Sequence, residues 1–181
     1  MIHYEKGSER SMDYSALVLA AGSGQRMQLG YNKVFYELEN GKTVLDQALS
    51  VFKEDDRCKQ IVLVCSANDI IRISSQYVSG KVVVVLGGKT RQESVYNGLK
   101  AVHEENVLIH DGARPLVTNE VIAQAVSAAV SCGAAAPAVP VHDTIKRAES
   151  GLVLETPDRS TLFAVQTPQV FRTEEIRSVL R

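Results

Sequence analysis

Four short apolar runs constrain this chain more than any other feature: ALVLAA at 16–21, IVLVC at 61–65, VVVVL at 82–86 and VLI at 107–109. None of them alternates with polar residues, so each predicts a strand buried on both faces. Strands of that kind belong to parallel sheets covered by helices on either side. All four are far too short to cross a membrane as a helix.

Between the runs the period becomes helical. Val44, Leu45, Ala48, Leu49 and Phe52 share one face over 43–52. A helix is predicted over 70–77 despite its β-branched content. Thr90 with Glu93 three residues on predicts a capping box and a helix running to Glu104. Thr118 predicts the cap of a helix that reaches Cys132 and ends at Gly133. The strand at 107–109 is expected to stop at His110-Asp111, and 134–141 is expected to be extended. The fold class expected is α/β, a doubly wound, mostly parallel sheet of Rossmann-like nucleotidyltransferase type. It forms a single domain over 15–181, behind a polar extension 1–14 with no signal-peptide core and with Met12 as an alternative start. Over 141–166 short strand-like pieces lie between charged and turn residues, which predicts a protruding β-arm at about 140–166.

Composition narrows the function classes. A net charge of -1 over 181 residues offers no basic face for nucleic acid, and no apolar run suits a membrane. Cys58, Cys65 and Cys132 form no C-x-x-C pair, which argues against a disulfide framework or a zinc site and for a reducing cytoplasm.

The loop LAAGSGQRM at 19–27 follows the first strand directly. Small residues let backbone N–H groups approach phosphate oxygens, and ligands of open α/β sheets bind at the carboxyl ends of strands. Met27 stands where a dinucleotide fingerprint needs its third glycine, and no Gly-Lys-Ser/Thr closes a Walker A loop. What remains is Gly22-Ser23-Gly24 followed by Arg26, with Lys33 downstream. Two cations beside a phosphate-binding turn suit a reaction at phosphorus, where negative charge builds on the equatorial oxygens. The competing reading is a plain glycine turn with two surface cations.

The second constellation is His110-Asp111-Gly112-Ala113-Arg114-Pro115. Asp111 at a strand end suits Mg²⁺, which takes one or two carboxylates and keeps phosphate oxygens and water as its other ligands. Arg114 suits a phosphate through its fork of donors. Alternatively, Asp111 caps a turn and Arg114 pairs with it. His110 reads as a packed or hydrogen-bonded histidine rather than a metal ligand.

These segments carry a family resemblance. L-A-A-G-x-G-x-R-M with a downstream lysine resembles the sugar-phosphate nucleotidyltransferases. G-G-x-x-R-x-x-S-V at 87–95, H-D-x-A-R-P at 110–115, D-T-I-K at 143–146 and D-R…Q-T-P-Q-x-F at 158–171 narrow it to the 2-C-methyl-D-erythritol 4-phosphate cytidylyltransferases of the non-mevalonate isoprenoid pathway. The resemblance covers 16–171. It implies a Mg²⁺-dependent reaction of CTP with a sugar-alcohol phosphate. By position it implies transition-state stabilisation by Arg26 and Lys33, a metal on Asp111, and nucleotide binding by Ala20, Ala21, Gly22, Gly24, Gly88, Ser94 and Gly112. It gives the sugar phosphate to Arg114, Thr144, Arg159 and Thr167, with Arg159 also in a catalytic role. It further implies a homodimer in which the arm hooks onto a second subunit, so that Thr144 and Arg159 serve the partner's site. Local readings compete: Thr144 as strand backbone support, Arg159 as the partner of Asp158, Ser94 as helix surface.

The chain departs from the family pattern in three places. Asn32-Lys33-Val34 stands where the family has Pro-Lys-Gln, and Gln25 where it frequently has arginine. The chain also ends at Arg181, ahead of a family segment with a Thr-Asp-Asp/Glu-Ala stretch and a closing phosphate-binding lysine, and the expectation is weakened or absent turnover. Two alternative functions are carried: a ribitol 5-phosphate cytidylyltransferase, whose loop tends to Ala-Gly-Gly and whose metal strand reads H-D-S-V-R-P, and a dimeric nucleotide-binding protein without turnover.

Overall fold

The structure is a computed structural model and describes residues 12–22 and 31–180. Arg26 and Gly24, with the rest of the phosphate-loop tip and most of the N-terminal extension, lie outside the described residues.

The apolar runs form the four parallel strands of a six-stranded sheet. They are β1 (Tyr14–Ala20), β2 (Cys58–Cys65), β3 (Val82–Leu86) and β4 (Asn106–Asp111), joined through α1 (Val44–Glu54), α2 (Ile70–Tyr77) and α3 (Arg91–Leu99). After β4 come α4 (Asn119–Cys132) and the two-residue β5 (Ala134–Ala135). The short strands β6 (Ala138–Pro140), β7 (Arg147–Glu149), β8 (Leu152–Glu155) and β9 (Phe163–Val165) follow, then β10 (Gln169–Arg172) and α5 (Thr173–Val179). The main sheet runs β3-β2-β1-β4-β10-β5, with β10 antiparallel to β4. This is the mixed α/β, mostly parallel architecture that the apolar runs predict.

Both faces are buried as double winding requires. Tyr14, Ala16 and Val18 of β1 pack with Leu45, Leu49 and Phe52 of α1 and Ile122 and Val126 of α4. Leu17 points the other way, to Val95 and Leu99 of α3, and Ile176 of α5 packs against this second cluster. The period of two in the strand thus feeds two separate cores. β3 differs from the expectation of full burial: Val83 and Leu86 are exposed, because β3 is the edge strand.

Helix starts follow local chemistry. Thr43 caps α1 and closes a full capping box with Asp46, and Thr118 caps α4, which ends at Gly133 with φ 88°. At Thr90 only half of the expected box forms. Thr90 accepts from the Glu93 amide, but the Glu93 carboxylate takes the Lys89 amide at 2.7 Å. α3 also stops at Leu99, short of Glu104. There Arg177 of α5 donates to the carbonyls of Leu99 and Val102, and Gln60 of β2 donates to that of Ala101, so tertiary partners satisfy the helix end.

Two small antiparallel pairs, β6-β9 and β7-β8, lie outside the main sheet. Their residues are exposed throughout. The β7-β8 hairpin turns at Ser150 and Gly151, which take φ 49° and 82°, as a tight hairpin demands.

Candidate active site

The strand order 3-2-1-4 reverses direction at β1, so the crevice between the carboxyl ends of β1 and β4 is the topological switch point. Register aligns Leu19 with Asp111 across those strands, and Ala20 with Cys65 of β2. Asp111 is therefore the last residue of β4 rather than a residue beyond it. The Gly112 amide continues the ladder to the Leu19 carbonyl at 2.9 Å. A Cβ on Gly112 would stand 3.0 Å from that same oxygen.

Asp111 is partly exposed, and both carboxylate oxygens face arginines. Arg91 reaches Oδ1 and Arg114 reaches Oδ2, each at 3.3 Å. The pairing of Arg114 with Asp111 is thus present, and its backbone amide also closes a turn onto the Asp111 carbonyl. Arg91 joins this cluster although the sequence reading gave it no role inside the G-G-x-x-R-x-x-S-V stretch. Among the described residues no group of three or more His, Cys, Asp or Glu side chains could cage a metal. Asp111 is one carboxylate, the number that Mg²⁺ commonly takes beside phosphate oxygens and water.

His110 lies behind Asp111, fully buried and edge-on to the Phe52 ring at 5.5 Å. Its Nε2 meets the Arg114 carbonyl at 3.0 Å and its Nδ1 meets Thr167 Oγ1 at 3.1 Å. A carbonyl only accepts, so Nε2 carries the proton of the neutral ring and the Thr167 hydroxyl donates to Nδ1. Thr167 Oγ1 in turn accepts the Asp111 amide at 3.4 Å. The antiparallel course of β10 makes this contact, since it brings the start of that strand to the end of β4. His110 is thus a hydrogen-bonded core histidine that seats Thr167 beside Asp111.

Burial holds the His110 imidazole below its ordinary value of 6.5, outweighing the opposing effect of the Arg114 carbonyl. The unfolded chain then takes up a proton more readily than the fold does. This contribution to stability is complete above pH 6.5 and is lost as pH falls below it. Melting temperature is expected to decline as pH falls below about 6.5, and H110Q to flatten that decline. An unchanged slope in H110Q melting curves would assign the acid sensitivity elsewhere.

At the end of β3, Gly87 and Gly88 lead into α3. Ser94 is buried rather than lying on the helix surface. Its hydroxyl accepts the Gly88 amide at 3.0 Å and lies 2.9 Å from the Thr90 carbonyl, to which it can donate. A Cβ on Gly87 would stand 3.0 Å from Ala21 Cβ, so the β3 loop and the start of the phosphate loop touch. Ala20 is buried, Ala21 half-buried and Gly22 exposed. Lys33 is half-buried and opens a 3-10 turn, Lys33–Phe35, capped by Asn32.

Ala20, Ala21, Gly88, Ser94, Asp111, Gly112, Arg114 and Thr167 thus belong to the carboxyl edge of the sheet, and Asn32 ties the Lys33 turn to it through Ala20. Thr144 and Arg159 lie between β6 and β9, outside the main sheet. Thr144 is exposed, and Arg159 donates to the His142 carbonyl at 3.0 Å, not to Asp158. Asp158 instead caps its own turn at Ser160. Burial pushes the thiols of Cys58 and Cys65 up to about 11, so neither supplies a thiolate nucleophile at neutral pH.

The profile of the family described as "IspD: 2-C-methyl-D-erythritol 4-phosphate cytidylyltransferase" matches residues 14–181. The chain is 48% identical to the 2-C-methyl-D-erythritol 4-phosphate cytidylyltransferase of Halalkalibacterium halodurans, covering 88% of this chain and 72% of that protein. It is 50% identical to the protein of the same name from Geobacillus kaustophilus, covering 89% and 72%. Among solved structures, the 4-diphosphocytidyl-2C-methyl-D-erythritol synthase of Anaerococcus prevotii superimposes with a TM-score of 0.78 at 32% identity, over 95% of this chain and 77% of that one. With Asp111 at the β1–β4 switch point and a profile that spans all four parallel strands, the chain belongs to the 2-C-methyl-D-erythritol 4-phosphate cytidylyltransferase family.

Proposed function

We propose that this chain transfers the cytidylyl group of CTP to 2-C-methyl-D-erythritol 4-phosphate, releasing pyrophosphate, in isoprenoid biosynthesis. The observation that carries the reading is the register of β1 with β4, which sets the start of a glycine-rich phosphate loop beside Asp111. An oxygen of the substrate 4-phosphate forms a bond to the α-phosphorus as the bond to pyrophosphate breaks. The attacking oxygen is already anionic, so no protein nucleophile or general base is required. The barrier lies in bringing anions together and aligning them.

Each residue then has a task. Lys33 and Arg26 meet the charge that builds at the α-phosphorus. The backbone from Ala20 to Gly24 holds the triphosphate, while Gly88, Ser94 and Gly112 form the pocket for the base. Arg114 and Thr167 hold the sugar phosphate on the β4 side. Asp111 would hold Mg²⁺, which when bound neutralises triphosphate charge. The arginines on both oxygens of Asp111 keep that carboxylate aligned.

The β-arm serves a second copy of the chain in this reading. Leu152, Val153, Leu154, Phe163 and Val165 are all exposed on it, a larger apolar display than short solvated strands need. Thr144 and Arg159 would reach the partner's site from there. No helix among the described residues is long and apolar enough to cross a membrane. Three free cysteines fit the reducing cytoplasm.

The test offers CTP and Mg²⁺ with either methylerythritol 4-phosphate or ribitol 5-phosphate and follows pyrophosphate, with sedimentation of the same sample for its mass. Turnover of the methylerythritol substrate by a dimer is expected. Turnover of ribitol 5-phosphate alone would overturn the substrate, CTP binding without turnover would favour a nucleotide-binding protein, and an active monomer would remove the arm from the site.

A further inference from the structure

Strand β1 ends at Ala20, where the phosphate loop begins, and Asn32 lies beside that end. The two are joined directly: Asn32 Nδ2 donates to the Ala20 carbonyl at 2.7 Å. The same amide donates to Asp69 Oδ2 at 3.0 Å. Asp69 stands at the N-cap of α2 but makes no side-chain capping bond there. Its Oδ2 also takes the Ser66 hydroxyl at 2.8 Å. Asn32 Oδ1 accepts the Val34 amide at 3.3 Å, and its carbonyl accepts that of Phe35 at 3.0 Å. The side chain is buried, with both ends of its amide engaged.

Lys33 stands between these anchors. On its far side Val34 and Phe35 are buried, and Arg72 stacks over the Phe35 ring at 3.8 Å. The backbone that carries the lysine is therefore held from the β1 end by hydrogen bonds and from the other end by packing.

We propose that Asn32 is a positioning residue that aims Lys33 at the triphosphate, fastening its turn to the β1 end of the phosphate loop. The proposal rests on the reading of Lys33 as a phosphate-binding cation. Asn32 has φ -68°, within the narrow range that a proline ring imposes. A proline at this position would hold the backbone covalently where asparagine holds it by hydrogen bonds. It would still leave the buried Ala20 carbonyl without its donor, which lowers stability. Stability and aim can thus be separated.

N32G and N32P lose the same side-chain bonds and differ in backbone freedom. Both are expected to melt below the parent. Titration with CTP and Mg²⁺ is expected to show affinity about tenfold weaker in N32G, as a misdirected cation would give, while N32P stays within about threefold of the parent. The N32G loss should vanish in a K33M background, because a residue acting through Lys33 has nothing left to aim. Should N32G not fold, N32A loses the same side-chain bonds without fixing φ and is held to the same criteria. N32P as weak as N32G, or a full penalty persisting beside K33M, would overturn the role. K33M binding and turning over CTP like the parent would instead remove Lys33 from the reaction, and Asn32 with it.

Discussion

D111N is expected to lower kcat/KM for cytidylyl transfer by about 10³-fold, roughly 4 kcal/mol of transition-state stabilisation. Asp111 is the single hard anionic oxygen donor at the end of β4, and asparagine keeps its shape without its charge. The fold should tolerate the change. The ion pairs to Arg91 and Arg114 are partly exposed and hold at 3.3 Å, and pairs of this type contribute about 0–1 kcal/mol. A second readout separates metal binding from arginine anchoring. Mn²⁺ affinity in the presence of CTP, followed by electron paramagnetic resonance, should fall in D111N along with activity. If Asp111 served only to anchor the arginines, asparagine would keep one of them on its oxygen and turn its NH₂ to the other, without touching a metal site. Mn²⁺ affinity and the Mg²⁺ dependence of turnover would then be unchanged, and the metal assignment would fail.

L17A is the other large effect, and it falls on stability. Leu17 is fully buried on the central strand, in the core that α3 closes. Removing its side chain is expected to cost about 3 kcal/mol, a fall of roughly 6–12 °C in melting temperature for a chain of this size. α3 approaches the sheet closely through Gly98, where a Cβ would lie 2.8 Å from both Leu17 Cδ1 and Val64 Cγ2. G98A alone gains about 1 kcal/mol of helix propensity but overpacks this contact at a cost of about 1–3 kcal/mol. In L17A one of those two clashes is gone. The double variant should therefore be more stable than additivity predicts, by about 1 kcal/mol. Additive melting free energies would show that α3 does not bear on the sheet through Gly98.

The legible parts of this protein were those whose cause is local. The VVVVL run could hardly be anything but a strand, yet its half-exposed edge position depends on where the sheet ends. Thr43 and Asp46 closed the capping box that their spacing permits. Thr90 and Glu93 share that spacing and closed only half, because the Lys89 amide competed for the carboxylate. Thr167 was named from a motif, but its contact with His110 and Asp111 requires β10 to run antiparallel beside β4. Arg91 lay in plain view in a motif without a role, since nothing local shows that its guanidinium reaches a carboxylate twenty residues on. Asn32 read as a departure from a family pattern, and its burial against Ala20 and Asp69 gives that departure a physical content.

The sequence by itself determined the class of sheet, the positions of its four parallel strands, the caps at Thr90 and Thr118, and the inventory of small, cationic and acidic residues that suits phosphate chemistry. Runs of apolar residues and capping spacings act over a few residues, so they survive reading in one dimension. The tertiary structure alone decided that β4 lies beside β1, that Asp111 is held between Arg91 and Arg114, and that Asn32 ties the Lys33 turn to the end of β1. These contacts join residues from different elements, and their geometry follows from strand order and register, which no local pattern encodes.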